Sequence, residues 1–180
     1  MVLENAITGR YVLIRSITEE DAAFSMEIRQ DKEKTKFLHS VEANLEKQIC
    51  WIRKQRIAAG DYFFIAETLT GKKVGTVGIY DIENKRGHLG RLLMIGNPFQ
   101  TFEAVLLSMQ FAYDKLGLEE LYGDVHVDNT PSLNISEAVG IHFQDPIYDA
   151  ELDRWVKYGT AYKNEFSKYK REIESLIYRD

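Results

Sequence analysis

The chain has 180 residues, 44% hydrophobic and 12% aromatic, enough for a substantial core and a length that fits one domain over residues 1–180 better than two. Its 28 acidic and 23 basic residues give a formal charge of −5, without the basic face that nucleic acid or an anionic membrane requires, so neither partner is expected. One cysteine, Cys50, excludes an internal disulfide and a thiolate zinc cluster; no signal-peptide pattern and no membrane-length apolar run is present, so a soluble, unprocessed, cytoplasmic protein is expected.

In chain order, residues 11–17 are β-branched and aromatic enough for a strand, and Thr18-Glu19-Glu20-Asp21 reads as an N-cap with an acidic residue at the third helical position. A helix is predicted from there to about Gln30. Residues 31–39 are charged and irregular, and residues 40–59 carry Leu45, Ile49, Ile52 and Ala59 at helical spacing before Gly60. Residues 62–67 and 74–81 form a predicted hairpin around Leu69-Thr70-Gly71-Lys72. A strand at 87–95, an apolar helix at 102–116 and a strand at 121–127 make a crossover. Thr130-Pro131 opens a short helix, with Pro where its missing N–H costs little. Strands at 141–143 and 155–162 follow, then a C-terminal helix striped by Phe166, Tyr169, Ile173 and Leu176. This order predicts an α/β (α+β) chain with a mixed, mostly antiparallel twisted sheet flanked by helices, including an extra C-terminal helix.

Three stretches carry a resemblance to a known family: residues 13–21, LIRSITEED; Ile95-Gly96-Asn97-Pro98 before the crossover helix; and Asp128-Asn129-Thr130-Pro131 through Gly140. They resemble the GNAT superfamily of N-acetyltransferases, along most of the chain. The resemblance implies the GNAT fold and acetyl-CoA as co-substrate; no His, Asp or Glu spacing suggests a metal. It assigns Leu92, Leu93, Met94 and Ile95 to the strand that offers backbone groups to the pantetheine and thioester, with the N–H near Met94 as an oxyanion donor. Gln100, Thr101 and Phe102 fall where the helix N-terminus would meet the pyrophosphate, and Asn129 matches the Asn that faces the cofactor. The family's glycine-rich phosphate loop is shortened here to Asn97-Pro98-Phe99-Gln100-Thr101-Phe102-Glu103-Ala104, with no glycine after Gly96, so modest affinity is expected. Where members place a Tyr to protonate the leaving thiolate, the count from Asn129 gives Ser136. Asn129 as a plain helix cap and Ser136 as a small packing residue are the competing readings.

Acetyl transfer needs a neutral amine, a stabilised oxyanion and a proton for the thiolate. Strand alternation puts Asp124, His126 and Asp128 on one face, with His126 as the candidate base and Asp124 as holder of the substrate ammonium. His39 is a second candidate, His88 and Glu67 weaker ones; Cys50 has no base at helical spacing. The leading acceptor is a small-molecule primary amine, with a resemblance to enzymes that acetylate nucleotide-linked sugars and with Trp51, Tyr80 and Trp155 as stacking walls. A protein N-terminus is the runner-up, a degenerate binding module the alternative from another class. A homodimer is left open.

Overall fold

The computed structural model describes residues 1–38, 42–151 and 153–178. Candidate base His39 lies outside the described residues. The chain runs β1 (Ile7–Thr8), β2 (Val12–Ser16), a 3-10 turn (Glu19–Asp21), α1 (Ala22–Gln30), α2 (Lys32–Thr35), α3 (Leu45–Ile57), β3 (Tyr62–Thr68), β4 (Lys73–Glu83), β5 (Arg86–Met94), α4 (Pro98–Asp114), β6 (Glu120–His126), α5 (Thr130–Ala138), β7 (His142–Phe143), β8 (Ile147–Asp149), β9 (Arg154–Tyr162) and α6 (Lys163–Ile177). One sheet holds the strands in the order β1-β2-β3-β4-β5-β6-β9-β7, with β8 beside β9. Every pairing is antiparallel except β5 with β6. The predicted mixed, mostly antiparallel α/β architecture is what forms.

Both faces of the central strands are covered, so β3 reads as a continuous apolar run. Tyr62, Phe64 and Ala66 enter the larger core with Val105, Met109 and Phe111 of α4 and with Phe166, Ile173 and Ile177 of α6. The intervening Phe63 and Ile65 enter a second core with Ile17, Ala22 and Ile52 on the other side of the sheet. The period of two along one strand thus builds two layers.

Several boundaries differ from the sequence reading. Helix α4 begins at Pro98, not near 102, because Asn97 caps it: its side chain accepts the Gln100 N–H at 3.0 Å while the Gln100 side chain accepts the Asn97 N–H at 3.0 Å. Helix α3 begins at Leu45, where Asn44 accepts the Lys47 N–H at 2.9 Å. The stretch read as irregular contains α2, one turn nucleated by Asp31, whose carboxylate accepts the N–H groups of Glu33 and Lys34. Strands β4 and β5 join through Asn84 and Lys85, both at positive φ, the geometry of a two-residue turn that matches strand twist. Strands β1 and β8 are two and three residues long, too short to leave a periodicity.

Two buried carboxylates tie the layers together. Glu103 on α4, 1% exposed, accepts N–H bonds from Arg10, Tyr11 and Val12, each at 2.7 Å, and the Tyr178 hydroxyl. Asp21, also 1% exposed, takes the Arg15 guanidinium at 2.7 and 2.9 Å, Lys73 at 2.6 Å and the Thr18 N–H at 2.8 Å. Burial pushes the Asp21 carboxyl up, but hydrogen bonds from Arg15 and Lys73 outweigh it and hold the group well below the usual carboxylate range. A depressed folded-state pKa adds stability above the ordinary aspartate value and loses it as pH falls below that value. Asp21→Asn is therefore expected to cost about 2–4 kcal/mol in urea unfolding at pH 7, since it leaves two cations half-paired. That difference from wild type should shrink as pH is lowered toward 3.

Candidate functional site

The site begins where β5 and β6 separate. These parallel strands pair only at Arg86, Gly87 and His88, opposite Glu120, Leu121 and Tyr122. Beyond that point β6 continues against β9 as far as His126, while β5 continues against β4 as far as Met94. The β6-facing edge of β5 over residues 89–94 and the β5-facing edge of β6 over residues 123–126 therefore have no strand partner. A bulge starts the divergence: Thr76 pairs with Leu93 but Gly78 with Gly90, so Val77 faces two residues, and Arg91 sits at φ +50°. The Thr76 hydroxyl fastens the bulge by donating to the Arg91 carbonyl at 2.9 Å. At the apex, a Cβ on Gly123 would stand 2.9 Å from the Leu89 carbonyl, so only glycine lets the strands approach so closely there.

Two adjoining spaces flank the diverging β5. A cleft of about 460 Å³ is lined by Leu92, Leu93 and Met94 of β5, by Thr101 of α4, by residues 128–132 and Ile135 at the start of α5, and by Lys34, Lys36 and Leu38. A cavity of about 490 Å³ lies on the α1 and α3 side, with Arg29, Trp51, Phe63, Tyr80, His88, Arg91, Asp124 and Arg154 among its walls. Leu38, Leu92 and Leu93 line both. The expected cofactor residues Leu92, Leu93, Met94, Thr101 and Asn129 are thus gathered around the cleft. Ile95 is exposed and off its wall, and Phe102 packs against the larger core.

The start of α4 is less open to an anion than the strand-turn-helix pattern suggests. Pro98 has no N–H, the Gln100 N–H is taken by Asn97, and the Thr101 N–H donates to the Asn97 carbonyl at 3.0 Å. Asn129 caps α5 through a 3.3 Å bond from the Ser132 N–H while also facing the cleft. Ser136 is half-buried and is not on the cleft wall, although its neighbour Ile135 is. Asn129 and Ser136 therefore do not share a wall of the cleft; a proton-donating role for Ser136 rests on the resemblance alone.

The strand parity predicted for β6 separates its members. Asp124 lines the cavity, where its carboxylate accepts from Arg154 Nη2 at 3.0 Å and lies 3.6 Å from His88 Nε2. His126 lines neither space; its Nδ1 accepts the Asp128 N–H at 3.1 Å and its ring packs on Phe37 at 4.9 Å. Glu67 is bound to Arg15 at 3.0 Å, away from both spaces. Trp51 and Tyr80 are cavity walls, whereas Trp155 is exposed beside Tyr148. Sequence reasoning missed Arg91 and Arg154, which stand in no local motif. Arg91 stacks 4.0 Å from the Tyr80 ring centroid and pairs with Asp61, Nη2 to Oδ2 at 2.9 Å. Arg154 also donates to the Phe37 carbonyl at 2.7 Å, fixing the segment that roofs both spaces. Among the described residues no group of three or more His, Cys, Asp or Glu side chains could hold a metal ion, and no helix is long and apolar enough to cross a membrane.

Comparisons place this geometry in a family. The acetyltransferase (GNAT) domain model matches residues 12–142, and the chain belongs to the GNAT acetyltransferases. No curated protein sequence matches it. Among solved structures, a GCN5-related N-acetyltransferase from Brucella melitensis superposes with a TM-score of 0.80 at 18% identity, covering 97% of this chain and 86% of that one. A nucleotide-linked sugar GNAT, FdhC in its apo form, gives 0.78 at 21% identity, covering 94% and 97%. A spermidine N-acetyltransferase SpeG chimera from Vibrio cholerae and hSSAT gives 0.76 at 14% identity, covering 89% and 99%. At these identities the likeness is one of fold.

Closure of the gap at its apex is directly testable. Gly123→Ala is expected to lower stability by about 1–3 kcal/mol, because a methyl against a backbone carbonyl forces the strands to shift. Thermal melting should show the loss.

Proposed function

We propose that the protein is an acetyl-CoA-dependent N-acetyltransferase acting on a primary amine of a small molecule that also carries an anionic group, a nucleotide-linked amino sugar being the acceptor class that fits best. The observation behind this reading is the pair of adjoining spaces that share Leu38, Leu92 and Leu93.

The cleft suits the thioester arm. Unpaired strand edges offer alternating N–H and C=O groups to the amides of a pantetheine chain, as an added strand would. Acetyl-CoA supplies the activated acetyl thioester. The backbone N–H near Met94 is the proposed donor to the oxygen that becomes negative during attack. With the α4 start largely self-capped, Lys34, Lys36 and the hydroxyls of Thr130 and Ser132 on the cleft wall supplement it in holding phosphates.

The cavity suits the acceptor. Asp124 is placed to attract an ammonium group, while Arg29, Arg91 and Arg154 outnumber the acidic walls Asp124 and Glu42 and favour an anionic substituent over a polycation. Trp51 and Tyr80 offer faces on which a base or sugar ring can stack. A protein N-terminus is the second acceptor considered, but no observed feature favours it over a small molecule.

Calorimetry with acetyl-CoA and CoA, followed by thiol release with a panel of amines, tests the reading. Nucleoside-diphosphate amino sugars should be used at least about tenfold more efficiently than spermidine, a difference of roughly 1.4 kcal/mol in transition-state binding. Spermidine as the best acceptor would overturn the anionic-acceptor assignment. Failure to bind either CoA form at millimolar concentration would leave a module that kept the fold and lost the reaction.

A further inference from the structure

We propose that His88 is the group that accepts the proton from the substrate ammonium, with Asp124 as its counter-charge. This rests on the acetyl-transfer reading above and adds to it a residue that a single-strand parity argument passes over.

The geometry comes from three neighbouring strands. His88 on β5 pairs in register with Tyr80 on β4 and with Tyr122 on β6. The imidazole is therefore held between two phenol rings, with centroids 4.5 Å away on one side and 5.0 Å on the other. Held this way it lines the acceptor cavity, and its Nε2 stands 3.6 Å from Asp124 Oδ1. The other Asp124 oxygen is already bound to Arg154 at 3.0 Å, which fixes the carboxylate toward the imidazole. His126, two residues further along β6, has its Nδ1 committed to a backbone N–H and reaches neither space.

The charges facing His88 set its protonation. Burial lowers its pKa most strongly; Asp124 and Asp81 oppose that, and Arg91 adds to it. The Tyr80 phenol, pushed by burial to about 12, is neutral, and Tyr122 is also shifted upward by burial beneath the Arg86 guanidinium, 5.1 Å from its ring. A neutral imidazole at pH 7 is free to take a proton, and Asp124 offsets the charge that then develops. One N–H bond of the ammonium breaks and its proton passes to His88 Nε2. The freed lone pair then forms the C–N bond at the thioester carbonyl. As the tetrahedral intermediate collapses the C–S bond breaks, the amine's second proton goes to the thiolate, and His88 returns its proton to solvent.

The test uses two readouts on the whole chain. In NMR titration of the histidine Cε1–H signals without substrate, His88 should titrate below the ordinary imidazole value of roughly 6.5, and Asp124→Asn should lower it further. In steady-state assays, kcat/KM of the wild type should rise with pH through the same midpoint. His88→Gln should lower kcat at least about a hundredfold, the low end of the usual general-base contribution, abolish that limb and leave the KM for acetyl-CoA within about twofold. His126→Gln, in contrast, should keep the limb. Should His88→Gln prove unstable, added imidazole restoring activity to His88→Ala supports the assignment, and no restoration counts against it. An unchanged limb in His88→Gln, or its loss in His126→Gln, overturns the assignment of His88 while leaving acetyl transfer intact. A wild-type protein that acetylates no amine takes both down together.

Discussion

The working half of this molecule depends on β5 and β6 being paired over three residues and then parting. A buried strand edge is costly to leave unpaired, since each N–H or C=O that gives up water without a partner loses the worth of a hydrogen bond. Here two largely half-buried edges face one gap, and the fold maintains it from both sides: β6 is held by β9, while β5 carries the bulge at Arg91 and is fastened to β4 through Thr76. The gap is a consequence of strong pairing elsewhere.

Three carboxylates show how stability and chemistry are divided. Glu103 and Asp21 are buried and saturated with donors, so they join segments far apart in sequence and have no lone pair left for a ligand. Asp124 has a guanidinium on one oxygen and an imidazole at 3.6 Å from the other, facing a cavity. A carboxylate with an unfilled side in a solvent-reachable cavity is where a cation can bind and react; the filled ones hold the layers that keep it there.

The strand-helix-strand crossover, the cap at Thr18, the Gly71 turn and the Pro at the start of α5 were legible because each depends on residues close in sequence. The ends of α4 and α2 were not, because Asn97-Pro98 and Asp31 read as loop residues until their side chains are seen accepting helix N–H groups. The same distinction applies to the site. Parity along β6 correctly put Asp124 toward a cavity, yet it treated His126 as equivalent, since one strand's alternation does not say where the neighbouring strand ends or what packs on each position. His88 is flanked by Tyr80 and Tyr122 only once β4, β5 and β6 are aligned, and that register depends on a bulge and a two-residue turn. Arg154, 30 residues from Asp124 in sequence, carries no local mark at all.

Trp51 gives the protein a built-in optical reporter. The chain has two tryptophans; one lines the cavity on the α1 and α3 side, 5.3 Å from the Arg91 guanidinium and edge-on to Phe63 at 5.5 Å, and the other, Trp155, lies outside that cavity on β9. A cation beside an indole shifts its emission, and a stacked heterocycle quenches it, so occupancy of the cavity is written into the intrinsic fluorescence of the unlabelled chain. With Trp155 replaced by phenylalanine the signal would come from one ring, and any small molecule entering the cavity could be followed by light without a coupled assay.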